Sequence, residues 1–365
     1  MNIDRLLEGI QKPARYIGGE YNSIKKPWEK TAVRICLSYP DIYEVGMSYL
    51  GKKILYHLLN REPDILCERV FAPWPDMEAR LRECNIPLFS LESRRPLGDF
   101  DIIGFSFGYE LTYTNFLNML ELGGIPIFSK ERNSSHPIVI AGGPCVFNPA
   151  PLSEFIDVFF IGEAEEVIHE FLEVYKKFKT KSAEKELILK AMKSIEGLYI
   201  PFIHKGHKIK KRTIKNLENG FYPVKPIVPF IRTVHDRVAI EIMRGCPNKC
   251  RFCQAKFLYK PLRLRSRSKI LELAKYSLEN TGYEEVSFLS LSSSNHPYLI
   301  DIINTFNKTF SGKGINVSVP SLRIEKLSAS LPNLIARNKK TGLTFAPEAG
   351  SLNLRERLNK QIETD

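Results

Sequence analysis

The chain has 365 residues, 43% apolar and 26% charged, and its 53 lysines and arginines exceed its 41 acids to give a formal net charge of +12. That is the composition of a globular protein long enough for two domains, and no apolar run reaches the roughly 18 to 20 residues that span a bilayer. The N-terminal stretch lacks the basic, apolar and small-residue segments of a signal peptide, so a cytoplasmic protein with reduced thiols is expected rather than a disulfide framework.

The first half alternates apolar runs with helical patterns, as parallel α/β domains do. Strands are predicted in TAVRICLSYP (31–40), DFDIIGFSFG (99–108), HPIVIAGGP and IDVFFIGEAEE. Helices are predicted in YLGKKILYHLLN, in LTYTNFLNMLELGG, closed by Gly123 and Gly124, and in EEVIHEFLEVYKKFK. Together they describe a doubly wound domain ending near residue 180 to 200, whose loops at 39–46, 106–113, 142–149 and 162–165 follow strands and share the edge where such sheets bind ligands. Cys36, Cys67, Cys84 and Cys145 are scattered among apolar neighbours and read as small buried hydrophobes.

Residues 201–235 read as a basic linker with a β-hairpin or two; HKGHKIKKRTIK places six lysines and arginines between 204 and 215. The pattern then restarts. RVAIEIMRG, EEVSFLSL, INVSVPSLRIE and GLTFAPEAG are predicted strands, separated by RSKILELAKYSLENTG, PYLIDIINTFNKTFSG and EKLSASLPNLIARNKK. Four β/α units in succession predict a parallel barrel or part of one, with its active-site loops at the strand C-termini.

Directly after the first of these strands, Cys246, Cys250 and Cys253 form C-x3-C-x2-C. A structural zinc site normally takes four protein ligands; here there are three, and the nearest histidines are His235 and His296. In a four-iron cluster each iron takes one thiolate, so three cysteines leave one iron open to a substrate or cofactor.

Cys246, Cys250, Phe252 and Cys253 resemble the C-x3-C-x-aromatic-C signature of the radical S-adenosylmethionine (SAM) superfamily. The resemblance implies a 4Fe-4S cluster on the three cysteines. It also implies SAM chelated on the open iron, and reductive cleavage of SAM to a 5′-deoxyadenosyl radical with electrons from an external donor. It places Phe252 by the adenine. LSLSSSN (289–295), with Ser292, stands where the family contacts the amino group of SAM. Ser321 and Arg323 of SLRIE stand where it approaches the SAM carboxylate or ribose, and Glu348 of FAPEAGS where ribose or substrate is contacted.

The first domain, with GGPCVFNPAPLSEFIDVFFIGEAEE, resembles the cobalamin-binding domains that precede many radical SAM barrels. Those often carry D-x-H-x-x-G with the histidine on cobalt, whereas this chain reads Asp41-Ile42-Tyr43-Glu44-Val45-Gly46. A phenol is a poor substitute for imidazole at neutral pH. Two readings stand: cobalamin held without a protein ligand, or a cobalamin-type fold turned into a substrate or RNA platform. The whole resemblance is to an uncharacterised subfamily with a cobalamin-binding-like domain at 1–200, the basic linker at 201–235 and a radical SAM core at 236–365. With only 112 residues after Cys253, that core is expected to be incomplete at its C-terminus.

The implied reaction is a radical one leading to methylation, methylthiolation or rearrangement. Lys256, Lys260, Arg263, Arg265, Arg267 and Lys269 follow the cysteines, and in an extended segment the three arginines would share a face. A cationic face beside the cluster loop would suit the backbone of a tRNA or rRNA. The alternative is a non-catalytic RNA-binding or scaffold protein stapled by a structural zinc or Fe-S site.

Overall fold

The computed structural model describes residues 3–181, 183–324, 327–335, 343–360 and 362. The chain divides into two compact units: Met1–Ile214 with Ile227–His235, and Lys215–Pro226 with Asp236–Asp365. Among the described residues no helix is long and apolar enough to cross a membrane.

The first unit is a six-stranded sheet of β1 (Val33–Tyr39), β2 (Ile65–Phe71), β3 (Ile102–Ser106), β4 (Ile138–Gly142), β5 (Val158–Phe160) and β6 (Leu198–Tyr199). Its order is β2-β1-β3-β4-β5-β6, parallel except for β6, which runs antiparallel to β5. The first five strands follow the doubly wound 2-1-3-4-5 order, whose reversal between β1 and β3 opens a crevice at their carboxyl ends. Strands covered on both sides read as continuous apolar runs, and β3 is buried throughout. Helices α1 (Leu50–Arg61), α2 (Pro75–Glu83), α3 (Tyr113–Leu122) and α4 (Ala164–Lys179) connect the strands. α4 carries Glu165 and Glu166 in its first turn and Lys176, Lys177 and Lys179 in its last, each sign set against the opposing end of the helix dipole. The core gathers Phe105, Phe107, Phe116 and Met119 against Val139. Gly143 has φ +104°, and a Cβ there would lie 2.4 Å from the Phe107 carbonyl oxygen, so this turn after β4 requires glycine.

Two expectations change here, and one strand forms where none was predicted. β2 had no prediction: its sequence ILCERVF carries Glu68 and Arg69, yet all seven residues are buried. No hairpin forms at 201–235, where the described contacts are a short helix, Pro201–His204, and single bridges Gly162–Arg212 and Tyr21–Val228. Of the four isolated cysteines three are buried, but Cys84, at the end of α2, is exposed.

The second unit contains β7 (Val238–Glu241), β8 (Met243–Arg244), β9 (Arg263–Leu264), β10 (Glu285–Leu289) and β11 (Asn316–Ser318). A parallel sheet has the order β11-β10-β7, and β8 pairs with β9 antiparallel. α5 (Arg267–Glu279) and α6 (Leu299–Thr309) cross between its strands. Phe288 of β10 meets Phe306 of α6 edge-on, with ring centroids 5.6 Å apart. Ser266 caps α5 by accepting from the Lys269 backbone N–H at 3.1 Å, satisfying one of the orphan donors of the first turn. The result is a partial parallel α/β barrel. Of the expected fourth strand, residue 342 lies outside the described residues and 343–350 form no strand; FAPEAG offers its proline and glycine where a parallel ladder needs donors and side-chain packing.

Candidate metal centre

The cysteine loop leaves β8 through Gly245, whose φ is +98°; a Cβ there would lie 2.8 Å from the Tyr259 carbonyl oxygen and 3.0 Å from both Leu262 Cα and the Pro261 carbonyl oxygen. Only a residue without a side chain lets the loop pass this close to segment 259–262. Cys246, Cys250 and Cys253 are all free and half-buried, and the Cys253 backbone N–H donates to the Cys250 carbonyl at 3.2 Å.

Two of the sulfurs have N–H groups aimed at them. Asn248 Nδ2 lies 3.5 Å from Cys246 Sγ, and Arg323 Nη1 lies 3.8 Å from Cys250 Sγ. The same Asn248 amide donates to Ser292 Oγ at 3.0 Å and to Asn295 Oδ1 at 2.8 Å, while Ser292 donates its own hydroxyl to Asn295 at 2.7 Å. Ser293 extends the chain of bonds to the next loop: its hydroxyl donates to the Pro320 carbonyl at 2.7 Å and its backbone N–H to Ser321 at 3.0 Å. The Arg323 backbone N–H donates to Ser294 Oγ at 2.9 Å. The loops after β8, β10 and β11 are thus stitched together at the carboxyl ends of the parallel strands, where α/β barrels place their sites.

The residues expected from the sequence occupy this region unequally. Arg323 reaches Cys250 directly, and Ser292 reaches the cysteine loop through Asn248. Ser321, exposed and at φ +60°, enters through its carbonyl. Phe252 is 53% exposed on the cysteine loop. Glu348 accepts from Lys360 Nζ at 3.1 Å; the neighbouring Asn359 donates to the Lys249 carbonyl of the cysteine loop at 2.8 Å. Asn248, Ser293, Ser294 and Asn295 were not singled out from the sequence, although the run of serines ending in Asn295 was its visible signal. His296 has its ring against the Arg265 carbonyl at 3.3 Å, and burial lowers its pKa.

The basic train does not form the expected face. Arg263 is buried, its guanidinium donating to the Pro261 carbonyl at 3.1 Å. Arg265 is only 1% exposed and donates to the Glu241 and Leu217 carbonyls at 3.0 and 2.6 Å. Only Arg267 of the three reaches the surface, where it pairs with Asp301. Alternation did bring two arginines to one side, but that side is the interior, where backbone carbonyls satisfy them.

In the first unit Tyr43, at the position where the resembled motif has histidine, is 1% exposed. Its hydroxyl donates to Glu20 Oε1 at 2.8 Å, and Gly46 leaves no room for a Cβ, which would lie 2.3 Å from the Phe71 ring. Glu20 also receives Arg69, which reaches Glu92 with its Nε. Burial alone would raise the Glu20 carboxyl, but the Arg69 charge holds it below its usual value. The tyrosine is a buried hydrogen-bond donor, and its hydroxyl is engaged by a carboxylate of its own unit.

The donor set of the second unit fits a four-iron cluster. Three thiols from one short loop can each serve one iron, and N–H donors on the sulfurs are the kind of contact that tunes such a cluster. Among the described residues no three His, Cys, Asp or Glu side chains converge closely enough to hold a single metal ion.

Residues 240–364 match the model of the radical SAM superfamily, and residues 51–201 match that of the N-terminal region of radical SAM proteins. An uncharacterised protein of Methanocaldococcus jannaschii is 27% identical over 337 residues, 91% of this chain. The chain spans 64% of that relative's length. Among solved structures the chain is similar in fold to TsrM, a radical SAM methyltransferase of Kitasatospora setae. With cobalamin and a [4Fe-4S] cluster bound, that structure gives a TM-score of 0.52 at 12% identity, over 86% of this chain and 58% of TsrM. With tryptophan and a SAM analogue bound it gives 0.54 at 13%, over 88% and 60%.

Proposed function

We infer that this chain, which belongs to the radical SAM superfamily, is an enzyme that binds SAM at a 4Fe-4S cluster held by Cys246, Cys250 and Cys253. The observation that carries the reading is the half-buried three-thiol loop stitched to the loops of the next two parallel strands. When bound and reduced, the cluster supplies the electron that cleaves SAM to a 5′-deoxyadenosyl radical.

The chain's own residues bind and orient. Three thiolates holding a four-iron cluster would leave one iron open to the amino and carboxylate groups of SAM. Arg323, already beside Cys250, would set a permanent positive charge against that carboxylate. Ser292 would lie toward the amino group, Ser321 and Glu348 toward the ribose, and Phe252 would cover the adenine. An external donor supplies the electron in the cytoplasm, where the thiols stay reduced.

Methylation or methylthiolation of an RNA is the finer reading. With Arg263 and Arg265 inside, its support narrows to the net charge and to the exposed Lys249, Lys260 and Arg267. Affinity for RNA that stays flat as salt rises overturns it. Cobalamin is the companion cofactor proposed from the fold of the first unit; with Tyr43 committed to Glu20 it would bind without this side chain as ligand.

The test of the main reading is anaerobic reconstitution with iron and sulfide, then reduction with dithionite in the presence of SAM. Four irons with sulfide, a reduced-cluster EPR signal and 5′-deoxyadenosine are expected. One zinc without sulfide would instead support the scaffold protein.

A further inference from the structure

We propose that Asn248, between the first two cysteines, is a positioning residue. It would set the reduction potential of the cluster and fasten the loop that holds it. The proposal rests on the cluster reading above and goes beyond it by assigning a role to a side chain that is not a ligand.

The geometry is specific. One amide nitrogen serves three acceptors: Cys246 Sγ at 3.5 Å, Ser292 Oγ at 3.0 Å and Asn295 Oδ1 at 2.8 Å. Ser292 is 1% exposed and its hydroxyl is itself spent on Asn295, so neither acceptor can rotate away without stranding the other. The Ser292 backbone N–H is held by Ser290 Oγ at 3.2 Å, and Ser293 is tied to Pro320. Asn248 therefore hangs from a frame on the loop after β10, and with two N–H groups for three acceptors it shares one of them between an oxygen and the sulfur of the first cysteine.

A hydrogen bond to a cluster thiolate withdraws electron density from sulfur and favours the more negative, reduced cluster. Partners behind a metal ligand also hold that ligand in place, and their loss commonly costs 10 to 100-fold in metal affinity. Asparagine suits both tasks because its amide is a neutral double donor. Aspartate at the same position could donate to neither sulfur nor oxygen and would bring a negative charge beside both.

The experiment compares wild type with Asn248→Ala and Asn248→Asp, each reconstituted anaerobically with iron and sulfide. Cluster potential is read by EPR during titration with dithionite, and iron release to a chelator is timed. Both variants are expected to shift the potential to more negative values, Asp further than Ala, and to lose iron about tenfold faster or more. Asn295→Leu keeps Asn248 but removes an oxygen that orients it, and should shift the potential the same way even if an Asn248 variant takes up no cluster. Potentials equal to wild type in the cluster-loaded fraction of the variants overturn the proposal, whatever the iron loss. Failure of the wild type itself to assemble a four-iron cluster would instead overturn the cluster reading.

Discussion

The Tyr43 hydroxyl donates to Glu20 Oε1 at 2.8 Å, with both residues almost fully buried. The bond converts a motif position that resembles a metal-ligand site into part of the packing of the first unit. Tyr43→Phe keeps the ring against Phe71 and removes one donor from a buried carboxylate. It should cost about 1–3 kcal/mol, read as a lower urea midpoint with an unchanged slope. A variant as stable as wild type would show that the hydroxyl is dispensable.

Arg69 is 2% exposed and bridges Glu20 and Glu92. Removing one member of a buried ion network leaves the others uncompensated, at about 3–5 kcal/mol. Arg69→Met should unfold the first unit at correspondingly lower denaturant, and the triple variant Arg69→Met, Glu20→Gln, Glu92→Gln should recover much of the loss. Equal instability of the single and triple variants would mean that the arginine acts through packing alone.

His57 is buried, its Nε2 lacks a hydrogen-bond partner, and burial lowers its pKa from 6.5 to about 4. The unfolded chain therefore takes up a proton below pH 6.5 that the folded chain refuses until about pH 4. Stability from this group is present above pH 6.5 and lost as pH falls toward 4, by about 3 kcal/mol at most. Urea unfolding at pH 7 and pH 4.5 measures it. His57→Leu should flatten that slope; a slope identical to wild type would assign the acid sensitivity to other groups.

Gly245 combines φ +98° with backbone contacts from three residues of segment 259–262. Gly245→Ala must displace the loop that carries Cys246, so cluster occupancy after reconstitution should fall severalfold while the first unit, monitored by the Tyr43 environment, is unchanged. Full occupancy would refute the steric argument.

Single replacements of Cys246, Cys250 or Cys253 by Ala should each abolish stable four-iron incorporation, because each thiolate serves a separate iron. Cys84→Ala, at an exposed position in the other unit, is the control and should incorporate iron as wild type does. Retention of a full cluster in any of the three loop variants contradicts the assignment.

Much of the architecture was legible because buried parallel strands are apolar runs: β1, β3, β4, β5 and β10 all lie within predicted segments. β2 was not, since Glu68 and Arg69 interrupt its pattern. Arg69 enters the interior only because Glu20 and Glu92, distant in the chain, arrive to pair with it. The same limit applies to Arg263 and Arg265. A period of two says that they share a side, but the carbonyls of Leu217 and Glu241 decide that it faces inward.

By itself the sequence determined that three thiols share one short loop, because three cysteines within eight residues stay together whatever the rest of the chain does. Only the tertiary structure decided what surrounds them. Asn248 meets Ser292 and Asn295, and Arg323 meets Cys250, across 44 to 73 residues of chain. Those encounters depend on the parallel pairing that aligns the ends of β7, β10 and β11. Local spacing decides which thiols share a loop, whereas the groups that contact that loop are brought in by the register of a sheet whose strands are far apart in sequence.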